Sequence, residues 1–345
     1  MTATATGCAS RGARALWPGV VLVSMMLGGC LTAPRAVLAT PSGEVRASDE
    51  TTAREVAEYA RWAEREVRAR LPGLRTGGVD IWVQAQVSAG LWSRIHMRTG
   101  EYSAFTLSSP DLPRPRIHVP SDGYRDTLSH EYVHALLGAQ WDSLPAILEE
   151  GLCTIVSIEI TEAIAEPPEY LLLASLGPQF VRAHKVEPEQ LELRSLLKLT
   201  QSLELDDHGV EYQKFAYGMG YFLVRRIVER AGIEGLFELC LCANAEQLDL
   251  IPADRILAAA ELPPGVDLTA AVNEEFDGAL FDYFVQLDEF RQLLADRPAG
   301  VAVEDVLVTY SHPWLEDGDI DRLFHEMPGF EAWAAEHPEL LEPEP

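Results

Sequence analysis

The sequence predicts an α+β fold in which a small mixed sheet backs one helix of special composition and a mainly helical lobe follows. Three observations carry this. Short alternating or β-rich runs crowd the first third of the chain, at Val79–Val83, Ile95–Met97, Ser103–Leu107 and Arg116–Val119, separated by Gly and Pro. Beyond residue 120 the apolar spacing turns helical and stays so for most of the remaining length. Strands first and helices afterwards are the order of an α+β domain rather than of an alternating α/β one.

The elements follow in chain order. Val56, Tyr59, Ala60, Ala63, Val67 and Leu71 recur at helical spacing over residues 50–71, and Pro72-Gly73 stops that helix. A second helix is predicted from Tyr124 to Leu137, with Gly138 placed to end it. Pro145 suits the first turn of a third, over 144–163. Further helices are expected over 187–200, 210–231, 233–243, 252–261 and 267–283, with a short one reaching 295. No internal repeat is evident. The domain therefore spans 50–296, with sheet and key helices in 50–163 and the helical lobe in 164–296. Residues 297–345 read as an acidic extension, and residues 30–49, with Thr32, Pro34, Pro41, Ser42 and Gly43, as a flexible tether.

Charge narrows the function. The 345 residues contain 27 Lys+Arg against 54 Asp+Glu, a net charge of -27. Such a surface repels phosphate backbones, so no nucleic-acid partner is expected. The N-terminus carries Arg11 and Arg14, then an apolar run from Leu16 to Leu27 that is too short to span a bilayer. Residues 1–29 thus read as a signal peptide. Leu27-Gly28-Gly29-Cys30 resembles the bacterial lipobox, which implies lipid attachment at Cys30 and a membrane anchor outside the cytoplasm. Leu31 after that cysteine implies the outer membrane if the cell is Gram-negative. Cys153, Cys240 and Cys242 are an odd remainder and are expected as free thiols rather than a disulfide framework.

The chemistry concentrates in His130-Glu131-Tyr132-Val133-His134. Histidines at i and i+4 stand on one helix face, one turn apart, and can supply two positions of a tetrahedral zinc site. Glu131, next to the first histidine, is placed to take a proton from an attacking water and return it to a leaving group. Leu128, Val133, Leu136 and Leu137 give the helix an apolar side. Arg116–Val119 is the candidate sheet edge beside a cleft.

A further segment, Ile147-Leu148-Glu149-Glu150-Gly151-Leu152-Cys153, resembles the second zinc helix of the gluzincin metallopeptidases, with Ile147 in place of an aromatic residue and Cys153 in place of alanine. The resemblance implies Glu150 as third zinc ligand. Glu149 is the rival, and glycine after Glu150 favours the latter by permitting close helix approach. Thr154 stands where that family often has a carboxylate supporting the site. Ala216-Tyr217-Gly218-Met219-Gly220 is similar to the family's Tyr-x-x-Gly helix, which implies Tyr217 as a stabiliser of the oxyanion, with Tyr212 a weaker candidate and core packing the alternative for both. Over residues 50–285 the resemblance implies a thermolysin-like catalytic fold, a zinc cofactor and a peptide or protein substrate. The Gly-x-Met-Glu-Asn motif of the aminopeptidase branch is absent. The alternative function is a non-catalytic periplasmic binding or scaffold lipoprotein that keeps the zinc site. His96 and His118 are expected at the surface or on the cleft wall, His208 in a loop, and Trp62, Trp82, Trp92 and Trp141 in the core or at the cleft rim.

Overall fold

In the computed structural model, residues 35–84, 104–108, 112–121, 123–161, 186–194 and 209–298 are described, with a few isolated residues beyond. Cys30 and the signal peptide, Ile95–Met97, His96, Trp92, His208 and most of 299–345 lie outside the described residues. The architecture is mixed α+β, with one five-stranded mixed sheet and seven α-helices among the described residues.

The strands are β1 (Ala36–Thr40), β2 (Gly43–Ala47), β3 (Asp80–Gln84), β4 (Phe105–Leu107) and β5 (Arg116–Pro120). Their spatial order is β1-β2-β3-β5-β4. The central strands β2, β3 and β5 run parallel, with Val45 opposite Ile81 and Ile81 opposite Ile117. The flanking strands β1 and β4 are antiparallel to their neighbours.

Two expectations are corrected here. Residues 36–47 are not tether: they form the β1–β2 hairpin, and Val45 and Ala47 are core residues. Composition misled because the turn holds Pro41, Ser42 and Gly43, while the pairing that stabilises β2 is made with β3, more than thirty residues away. Nor is Arg116–Val119 the sheet edge. It pairs on both sides, and Ile117 is fully buried. The last strand on that side, among the described residues, is the short β4.

Helix α1 (Glu50–Arg70) starts at Asp49, whose carboxylate accepts the Thr52 amide at 2.9 Å. Its buried stripe is mostly alanine (Ala53, Ala57, Ala60, Ala63), so it packs closely on β1, β2 and the next helix. That helix, α2 (Tyr124–Leu136), carries the histidines and packs against β5, β4 and α1. Leu128, Tyr132, Val133 and Leu136 are its buried face. Helix α3 (Ala146–Thr161) is buried on nearly every side, because α2 flanks it on one hand and α4 on the other.

The lobe begins with α4 (Gly209–Ala245), one long element broken at Gly232, where φ is 70°. The two helices expected over 210–231 and 233–243 are thus the two halves of a helix kinked at a glycine. Helices α5 (Ala253–Ala259), α6 (Leu268–Gln286) and α7 (Asp288–Ala295) complete it. The helix expected over 187–200 is, where described, a single 3-10 turn at Pro188–Leu191.

Candidate metal centre

The connection between α2 and α3 is short and heavily pinned, and this brings their side chains together. Backbone pairing of Leu74 with Leu137 holds the end of α2. A 3-10 turn at Ala139–Trp141 follows, and the buried Trp141 donates its indole N–H to the Pro72 carbonyl at 2.9 Å. Pro145 then opens α3, its carbonyl accepting from Leu148 and Glu149.

On α2 the rings of His130 and His134 stand 5.1 Å apart between centroids. Both turn an Nε2 toward one atom of α3: Glu150 Oε2 lies 3.1 Å from His130 Nε2 and 3.4 Å from His134 Nε2. Two nitrogens and an oxygen held at about 2.0–2.1 Å around one tetrahedral ion would be ~3.3 Å apart. The two distances from Glu150 to the histidines, 3.1 and 3.4 Å, are close to such an edge.

His130, His134 and Cys153 also form a group that could hold a metal ion, with one ligand atom from each residue lying within 4.8 Å of the others. Cys153 follows Glu150 by three residues and is fully buried. The sequence marks it as a free thiol, and its one visible signal as a ligand is a cysteine where the gluzincin segment that it resembles has alanine.

Glu149 is placed differently from its neighbour. Its Oε1 accepts from His134 Nδ1 at 2.7 Å, on the far side of the ring from Glu150. That bond fixes the ring with Nε2 facing inward, the orientation in which a carboxylate holds a metal-binding histidine. Thr154 does not support the Glu150 carboxylate as expected. Its hydroxyl donates to the Glu150 backbone carbonyl at 2.8 Å, one turn back along its own helix.

Electrostatics follow from crowding. Burial alone would raise the Glu150 carboxyl, but the two imidazoles outweigh it and hold the group at about 2. Burial opposes a charge on His134, yet Cys153, Glu150 and Glu149 together lift it well above its ordinary value. Burial pushes the Cys153 thiol up to about 12.

Glu131 projects from the same turn of α2, where Thr106 of β4 holds it. The Thr106 hydroxyl lies 2.6 Å from Glu131 Oε2 and 3.1 Å from its backbone oxygen. Tyr217 reaches the group from α4, its ring 6.1 Å from that of His130. The charge of Glu150, then burial, hold its phenol well above the usual range, so it stays a hydrogen-bond donor. Tyr212 lies on the same helix, but its side chain is outside the described residues.

These groups line one cavity of about 310 Å³, walled by Phe105, Thr106 and Ser108 opposite the two helices. The cleft therefore runs beside β4, not beside Ile117. His118 is not on its surface. It is buried behind Phe105, stacked on that ring at 4.5 Å, with neither ring nitrogen hydrogen-bonded among the described residues. Burial, with help from Arg116, pulls it down to about 4. Trp141 is core as expected, and Trp82 lies under the Arg116 guanidinium, 4.1 Å from the ring centre.

Sequence reasoning thus found His130, Glu131, His134, Glu150 and Tyr217, and the fold gathers all five around one cavity. It missed Thr106 and the task of Glu149. No protein-family model matches the chain and no curated protein matches it, so the reading of this centre rests on its own residues and distances.

Proposed function

We propose that this protein is a zinc-dependent hydrolase of peptide bonds, of gluzincin type, carried outside the cytoplasm on a lipid attached at Cys30. The observation that supports it most is the placement of Glu150 Oε2 at 3.1 and 3.4 Å from the two histidine nitrogens, on helices separate in sequence. His130, His134 and Glu150 would hold the ion. When bound, zinc supplies Lewis acidity, which polarises a carbonyl and makes a water acidic near neutral pH.

The chain's own groups do the rest. Glu131 accepts the proton of the attacking water and delivers it to the leaving amine. Thr106 keeps the Glu131 carboxylate at the cleft wall. Tyr217, protonated at all ordinary pH, donates to the oxygen on which negative charge develops. Glu149 keeps the His134 ring in register.

Cys153 favours one second reading. A site closed by Glu150 and Cys153 together would leave no position for water, and the protein would be a binding or scaffold lipoprotein. The Glu131→Gln variant separates the two. The peptidase reading expects wild-type zinc stoichiometry with peptide cleavage lowered about 10²- to 10⁴-fold. Equal cleavage by the variant and wild type would refute the role of Glu131, and zinc without turnover in either would favour the scaffold.

A further inference from the structure

We propose that the metal cleft continues into a carboxylate-binding subsite, where Arg75 and Arg114 receive an acidic side chain of an extended peptide. The inference rests on the peptidase reading for its substrate, and on a second cavity for its chemistry.

That cavity, of about 400 Å³, is lined by Arg75, Gly77, Gly78, Ser108 and Arg114 among others, and by no Asp or Glu among the described residues. Ser108 also lines the metal cleft, so the two cavities meet at the end of β4. In a chain of net charge -27, a hollow with two arginines and no acid is a local reversal of sign.

The guanidinium groups are held by one edge each. Arg75 donates Nε to the Leu137 carbonyl at 2.7 Å, and its backbone N–H to Leu136. Arg114 Nε meets Asp80 Oδ1 at 3.1 Å, an oxygen that also accepts the Glu44 amide. Among the described residues, the Nη groups of both carry no hydrogen bond. The Arg75 and Gly77 carbonyls, which would repel an anion, are taken by Arg68 at 2.7 and 2.9 Å. Arginine forks of this kind match a carboxylate in geometry as well as charge.

Spacing sets the register. Thr106 touches the general base, and Ser108 lies two residues further along the chain, just past the end of β4, ~7 Å away at ~3.3 Å per extended residue. A peptide extended beside β4, with its scissile bond at Glu131, therefore presents to this hollow a group about two residues away.

The test scans one glutamate through every position of alanine-leucine hexapeptides, each against its glutamine twin. Binding to the zinc-loaded full-length Glu131→Gln protein is measured by calorimetry, so the readout does not need turnover. At one or two neighbouring positions glutamate should bind about tenfold tighter than glutamine, as a charge-assisted pair gives. That preference should collapse in the Glu131→Gln/Arg114→Gln double variant; Arg75 is left intact because it also secures the end of α2. Equal affinities of the twins at every position would overturn the subsite. A glutamate preference in binding, together with no cleavage by wild type, would instead keep the subsite and sink the peptidase reading.

Discussion

Gly151 of α3 and Gly220 of α4 meet backbone to backbone. A Cβ on Gly151 would fall 2.1 Å from the Gly220 carbonyl oxygen, and one on Gly220 would fall 2.1 Å from the Ile147 carbonyl oxygen. Neither obstacle is a side chain that could swing aside. The contact sits one residue past Glu150 and three past Tyr217, so it sets how closely the phenol approaches His130 and Glu150.

Gly220→Ala should therefore damage both stability and chemistry. Forcing the helices apart should cost about 2 kcal/mol or more, in the upper part of the range for overpacked cores. Thermal melting should fall by several degrees. Peptide cleavage measured well below the melting point should fall further than zinc affinity, because Tyr217 moves with α4 while the ligands stay on α2 and α3. An unchanged melting temperature would show that the crossing is slack.

Glu149→Ala removes the hydrogen bond to His134 Nδ1 without touching Glu150. Zinc affinity, read by competition with a chromophoric chelator, should weaken about 10- to 100-fold, as loss of such supporting bonds does elsewhere. Stoichiometry at saturating zinc should remain one. If instead the variant loses zinc altogether, Glu149 is itself a ligand and the assignment to Glu150 fails.

His118 predicts the acid behaviour. Its folded-state value is lowered from 6.5 to about 4, so between those pH values the unfolded chain binds a proton that the folded chain refuses. Stability must fall as pH drops through that window. A shift of that size corresponds to about 3 kcal/mol at ~1.4 kcal/mol per pH unit. Denaturant titrations at pH 7 and pH 4 should show His118→Phe losing less stability than wild type by about that amount. The stacked Phe105 ring gives the new side chain an apolar neighbour. Identical acid slopes in the two proteins would refute the burial of an uncharged imidazole.

Elements built on local patterns were legible. The alanine-valine stripe of α1, the break at Gly232 and the Pro145 start of α3 each depend on residues a few positions apart. The i, i+4 histidines belong to the same class, since one turn of helix places them whatever surrounds it. Non-local pairings were not legible. Nothing near Val45 announces that it will lie opposite Ile81, and nothing near Phe105 announces that β4, rather than β5, ends the described sheet on the cleft side. Glu149 and Glu150 differ only in which imidazole nitrogen they reach, which depends on side-chain direction rather than sequence. Cys153 enters the group because α3 packs with its next turn against His134, a fact of helix crossing alone.

The β1–β2 hairpin bears on where this chemistry can happen. The first described strand begins at Ala36, so five residues, 31–35, lie between Cys30 and the sheet. Even fully extended, that stretch reaches ~20 Å. If Cys30 carries a lipid as proposed, the body holding His130, His134 and Glu150 would be kept on a short leash at the bilayer surface, unable to sweep the surrounding space. Its accessible substrates would then be chains that come to the membrane or are already attached to it.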